Sequence, residues 1–157
     1  MLELIHYYDS TMPPLRSITE CCSGDVIKKL SDMDEQAFRR FHNLDWYVEQ
    51  RKQTEKWLHN AFVQRGGKPT LMHPRYFVLG ESELLHQGFG ENAATIRIPL
   101  DTVDEAHVSF TLDDSMKLFL EEEQPRIWRK SEIIEQMRYA KGAYVEAQIW
   151  DLRYFDF

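Results

Sequence analysis

Near its C-terminus the chain reads YVEAQIW, residues 144–150, a strand-like run that carries a glutamate and a glutamine. Side chains of a strand alternate between its two faces. Val145, Ala147 and Ile149 therefore share one side, and Tyr144, Glu146, Gln148 and Trp150 share the other. The first set is a plain core face. The second sets one carboxyl and one amide between two aromatic residues. On an edge strand this is a solvent-facing side. On the wall of a cleft, Glu146 would be desolvated, its pKa raised and its carboxyl directed at a ligand, which makes it the candidate catalytic residue. Gln148 would then orient the ligand without adding charge.

Three other places carry polar chemistry where packing alone does not ask for it. A helical stripe runs through Leu44, Val48, Arg51, Glu55, Leu58 and Phe62, and its middle is charged. Residues three and four apart share a helix face. Two readings stay open: an i,i+4 pair at the rim of the core, or a site floor on which Arg51 faces an anion, since a guanidinium fork suits carboxylate or phosphate. The first strand places His6 and Tyr8 on one face with Leu2 and Leu4, and both are candidate ligand-binding residues. In HVSFTLDDSM, residues 107–116, Ser109 and Thr111 share a face and read as a solvent-facing hydroxyl row, while Asp113-Asp114-Ser115 is placed to cap a short helix.

The elements that must hold these residues follow from period and punctuation. Strands are expected over 2–8, 74–80, 94–100, 107–112 and 143–151. A short helix is expected after Ser23. A second helical start at Asp32 has Glu35 three residues on, like a capping box, and the pattern runs with a break near His42-Asn43 to Phe62, stopping at Arg65-Gly66-Gly67. A further helix over 131–142 is expected to use Ser131 as its N-cap. Repeats and Gly/Ser-rich linkers are absent. The pattern predicts a single α+β domain over 1–157, with a mixed or antiparallel sheet and helices mainly from the first half packed on it.

Composition limits the function. Hydrophobic residues make up 43% and aromatics 13% of 157 residues, which is globular composition. No apolar run reaches the roughly 20 residues of a membrane span. The N-terminal MLELIHYYDS has no basic n-region or continuous apolar h-region, so the expected location is cytoplasmic, with no membrane partner. A net charge of -7 argues against nucleic acid as a partner. Cys21 and Cys22 are adjacent, which gives no disulfide framework and no CxxC motif. The histidines show no HxxxH spacing, so no metal site is expected. Phosphate-binding glycine fingerprints and a GxSxG elbow are missing. What remains is a small-molecule ligand or a protein partner. The surplus of Trp46, Tyr47, Trp57, Trp128 and Trp150 supports the protein partner, and a homodimer is the expected assembly because two-fold oligomers are common.

Over nearly the whole chain, LIHYYDSTMPPLRSIT, YVEQRKQTEKW, RGGKP, HPRYFVLGES, RIPLDTVDEAHVSFTLDDSM and YVEAQIWD, in that order, resemble a family of uncharacterised bacterial proteins of similar length. That resemblance implies no function. A second, shorter likeness does. LIHYYD is similar to the opening strand of ADP-ribosyltransferases. VSFTLDDSM is similar to a later strand of their DNA-modifying toxin branch, and Glu146-Ala147-Gln148 to the setting of their catalytic glutamate. The STS motif is absent, and Tyr76 is the one candidate for the nicotinamide-stacking tyrosine. This likeness implies NAD as cofactor, with His6 on the ribose, Arg51 at the pyrophosphate and Glu146 stabilising an oxocarbenium ion. A rival reading pairs Glu55 with Glu146 as the two carboxyls of a hydrolase.

Overall fold

In the computed structural model, residues 1–20, 44–142 and 144–155 are described. The expectations for the helices after Ser23 and Asp32, and for the two cysteines, lie outside these residues. Six strands form one sheet: β1 (Glu3–Asp9), β2 (Arg75–Leu79), β3 (Ala93–Pro99), β4 (Val108–Thr111), β5 (Trp128–Arg129) and β6 (Glu146–Ile149). Their spatial order is β3-β1-β2-β6-β4-β5, and every neighbouring pair is antiparallel. The α+β expectation holds, and the sheet is antiparallel throughout. Four α-helices are described: α1 (Leu44–Gln64), α2 (Glu83–Gly88), α3 (Ser115–Glu121) and α4 (Lys130–Gln136). Three of these come from the second half of the chain. No helix among the described residues is long and apolar enough to cross a membrane.

Strand register fixes two chemically different faces. Rows run across the sheet as Ile5–Val78–Glu146–Thr111 and Tyr76–Gln148–Ser109 on one face, and as Phe77–Ala147–Phe110 and Arg75–Ile149–Val108 on the other. The second face carries the main apolar core, which adds Leu4, Leu79, Ile98, Val103, Val145 and Ile133 from α4. The C-terminal aromatics dock on this face, where Phe155 stacks on Phe77 with ring centroids 5.7 Å apart. The first face lies under α1.

α1 stops where the sequence says it should. Gly66 takes φ +92°, the left-handed conformation that glycine adopts without a Cβ penalty. The next residue, Gly67, returns its N–H to Phe62 O at 2.9 Å, and a Cβ there would run into the Phe62 ring. Two boundaries differ from expectation. β6 is shorter than 143–151 at both ends: Tyr144 and Val145 precede it and Trp150 and Asp151 follow it, although Trp150 N–H still donates to His107 O at 2.9 Å. α4 begins one residue before Ser131: Arg129 is the N-cap, and the Glu132 carboxylate accepts its N–H at 2.9 Å. Asp114 caps α3 as expected, accepting from the N–H groups of Met116 and Lys117 at 2.9 and 3.1 Å.

Candidate functional site: a buried polar layer

β6 is internal, flanked by β2 and β4, and its polar face is buried beneath α1. Glu146 is 4% exposed and Gln148 is fully buried. The hydroxyl row on β4 is buried too. Ser109 and Thr111 do not face solvent, as their alternation suggested, but point at Gln148 beneath α1. Gln148 uses its whole amide. Its Oε1 accepts the Ser109 hydroxyl at 2.7 Å, and its Nε2 donates to Thr111 Oγ1 at 3.1 Å and to Glu146 Oε1 at 2.9 Å. Trp150 donates Nε1–H to Ser109 Oγ at 2.9 Å, so its indole closes this end of the layer. It is also stacked on Phe62, within the apolar group that includes Leu58 and Ile127.

α1 supplies the charges. Tyr47, Arg51, Glu55, Leu58 and Phe62 are buried at helical spacing, so the charged middle of the stripe faces the sheet. Tyr47 takes the place that Val48 was expected to hold. Arg51 and Glu55 are 4% and 2% exposed, yet no ion pair joins them. Each turns to a different partner. Arg51 donates Nη1–H to Ser115 Oγ at 3.0 Å and Nη2–H to Tyr47 OH at 3.3 Å, and reaches Asp114 Oδ1 at 3.5 Å. Its guanidinium also lies 4.9 Å from the Tyr76 ring centroid, a cation–π distance. Glu55 accepts the Tyr76 hydroxyl at 2.6 Å, the Thr19 hydroxyl, and His73 Nδ1–H at 2.9 Å. The i,i+4 reading of this pair is thereby replaced by two separate sets of contacts, bridged by Tyr76.

Ser115 is the hinge between Arg51 and Glu146. Its N–H donates to Glu146 Oε2 at 3.2 Å while its hydroxyl accepts from Arg51. No direct ion pair joins Arg51 and Glu146 within the described residues. Burial pushes the Glu146 carboxyl up to about 7, and the nearby Asp114 carboxylate adds to the rise, while Arg51, Ser115 and Gln148 oppose it. Burial likewise holds the Tyr76 hydroxyl well above its usual range, so it remains a donor to Glu55. Burial thus raises the Glu146 carboxyl to the range in which it can take or release a proton near neutrality.

His6 and Tyr8 are not in this layer. They share the face of Leu4, on the far side of the sheet. His6 accepts the Leu15 N–H on Nε2 at 3.1 Å and donates Nδ1–H to Tyr76 O at 2.9 Å. Burial lowers its pKa, which suits this neutral tautomer. Through Nε2 it holds Leu15, which among the described residues is the non-glycine residue with positive φ, at 61°. The structure therefore brings Arg51, Glu146 and Gln148 together and leaves His6 and Tyr8 apart from them. Glu55 and Glu146 lie in one layer but are engaged by different donors. The sequence reading missed Thr19 and His73 as members of this network, and gave Tyr76 no role beyond the nicotinamide comparison. Only a tertiary contact to Glu55 makes them visible.

Among the described residues no cluster of histidine, cysteine or carboxylate side chains could hold a metal ion. A surface groove of about 440 Å³, lined by Trp57, Lys56, Gln53, Asn60, Ala61, Gln64 and Phe119, involves none of the layer's side chains. The class that emerges is an antiparallel α+β domain with a charged, hydrogen-bonded layer held between a long helix and the sheet. Comparison with family models, curated proteins and solved structures returns no match.

Proposed function

We propose that the chain is a ligand-binding domain whose site is the layer between α1 and the sheet, and whose ligand is a small zwitterion. Its anionic group would go to Arg51 and its cationic group to Glu146 and Asp114, while Gln148 fixes Glu146. The observation that carries this is the Ser115 bridge: two buried opposite charges touch the same serine and do not touch each other. Burying a charge costs several kcal/mol unless it is closely paired. Among the described residues Arg51 has one carboxylate in reach, at 3.5 Å, and Glu146 has no cation within ion-pair distance. A molecule bearing both charges at short separation would compensate both. Its route in is the partly exposed side of the layer, where Asp114, Tyr144 and Tyr76 reach the surface.

The ADP-ribosyltransferase reading shares Arg51 and Glu146 with this one. It loses its ribose contact, because His6 lies on the other face of the sheet. Calorimetric titration with a set of free α-amino acids, and separately with NAD, distinguishes the two. Binding of an amino acid that Arg51→Met abolishes supports the proposal. Binding of NAD that Glu146→Gln weakens would put the transferase first. No heat with any amino acid would overturn the proposal.

A further inference from the structure

The two ends of the sheet are built differently. β5 is two residues long, which leaves little edge to pair. β3 is seven residues long and matches β1 residue for residue, from Glu3↔Pro99 to Asp9↔Ala93, with no bulge. Edge strands are usually protected by shortness, a bulge, proline or projecting charge. β3 reads AATIRIP: it is neither short nor bulged, and its proline stands only at the last position. Its one charge, Arg97, is turned back to Glu3 and Glu81.

The hydrogen bonds at both ends of the β1–β3 ladder show which backbone groups of β3 face outward. Leu100 N–H donates to Leu2 O, and Asn92 O accepts from Ser10 N–H, so residues of even number turn their backbone groups toward β1. Ala93, Thr95, Arg97 and Pro99 therefore turn theirs to the free edge. The two outermost are already occupied in part: Ala93 N–H donates to Gly90 O, and Pro99 O accepts the Thr102 hydroxyl at 2.8 Å. The N–H and C=O of Thr95 and Arg97 make no hydrogen bond to any described residue. These open groups are symmetric about Ile96.

We propose that β3 is a homodimer interface, in which β3 of a second copy pairs antiparallel with it about a two-fold axis at Ile96. In that register Thr95 and Arg97 of the partner subunit exchange both backbone hydrogen bonds, and the free edge is satisfied with no orphan donor. Ile96 meets Ile96 of the partner subunit in a non-hydrogen-bonded pair, where Cα atoms approach to about 4.5 Å and side chains are closest. Ala94 meets Ile98 of the partner subunit, so the half-buried Ile96 row continues the main core across the junction. Charge selects this register as well. Shifting the axis to Arg97 would set two guanidinium groups opposite each other, whereas the axis at Ile96 sets Arg97 opposite a threonine. The self-complementary pattern is why the occupant is a second copy rather than an unrelated extended peptide.

Sedimentation equilibrium of the whole chain, together with amide hydrogen exchange, tests this. The expected result is a concentration-dependent dimer in which the Thr95 and Arg97 amides become protected as the dimer forms. Thr95→Pro removes an outward N–H without touching the β1–β3 ladder, and is expected to return the protein to a monomer. Ile96→Cys, in a chain with Cys21→Ser and Cys22→Ser, is expected to form a covalent dimer on oxidation, and this does not depend on the proline variant folding. A single-chain mass at every concentration would overturn the proposal. So would a dimer in which Thr95 and Arg97 exchange freely and Ile96→Cys fails to cross-link.

Discussion

Two buried titratable residues respond to acid with opposite sign. Glu146 has its pKa raised from 4.5 to about 7, so the folded state holds a proton that the unfolded state has lost between those values. Its contribution is present below pH 4.5 and is lost as pH rises through about 7, a difference of up to about 3 kcal/mol. His6 has its pKa lowered from 6.5, so the unfolded state takes up the proton first, and stability falls as pH drops below that value. Across this range the two slopes oppose each other in chemical denaturation of the native protein. Glu146→Gln is expected to remove the loss toward neutral pH and leave a curve that falls in acid. His6→Leu should do the reverse, and should also cost about 1–3 kcal/mol at pH 8, because the Leu15 N–H and Tyr76 O lose their partner. A Glu146→Gln curve of the same shape as the native one would show that this carboxyl does not titrate in the window.

Glu55 provides a residue-scale contrast. It is 2% exposed and gathers three donors, from Thr19, His73 and Tyr76. Glu55→Leu is expected to cost about 3–5 kcal/mol, because it strands those donors in the interior. If Arg51 and Glu55 formed a simple pair, Arg51→Met with Glu55→Leu would be nearly neutral. Separate partners predict that the double variant is at least as destabilised as Glu55→Leu alone, as read by urea denaturation.

At the scale of elements, α1 and β6 carry the account. The α1 stop depends on two glycines for different reasons. Gly66→Ala places a Cβ in the left-handed region and should cost about 1 kcal/mol. Gly67→Ala drives a Cβ into the Phe62 ring and should cost more, with thermal denaturation ranking the two. Much of this scale was legible in the sequence. The alternation of YVEAQIW sorted its residues onto the faces they occupy, the Asp113-Asp114-Ser115 turn was placed as a cap, and the glycine stop fell where it was expected. Periodicity failed where a polar row is buried by polar partners. Ser109 and Thr111 look like a solvent-facing side because hydroxyls usually are, and only the strand order, with β4 beside β6 under α1, shows that they satisfy Gln148. The face of His6 was right, but its distance from Glu146 was not legible, since the sequence does not say that β1 and β6 present opposite sides to their candidate residues.

Across the whole molecule, the sheet divides labour between its faces. One face is an apolar core closed by α4 and the C-terminal aromatics. The other holds the polar layer between two apolar groups, Leu58, Phe62, Ile127 and Trp150 to one side and Ile5, Tyr7 and Val78 to the other. These groups keep water from the charges and strengthen every electrostatic contact between them. The net charge of -7 favours no anionic polymer as a partner, and binding to duplex DNA with a steep salt dependence would contradict that expectation.

The claim that the Arg51–Ser115–Glu146 arrangement is a ligand site is tested most directly at Glu146 itself. Carbon-13 labelling of glutamate side chains, with Glu146 assigned by its Gln variant, follows the carboxyl through a pH titration with and without a free α-amino acid. The account predicts a titration near 7 in the protein alone, as burial requires, and a shift to lower pH when the ammonium group of the ligand sits against the carboxylate. A Glu146 carboxyl that titrates in the ordinary carboxylate range and does not respond to any amino acid would contradict it.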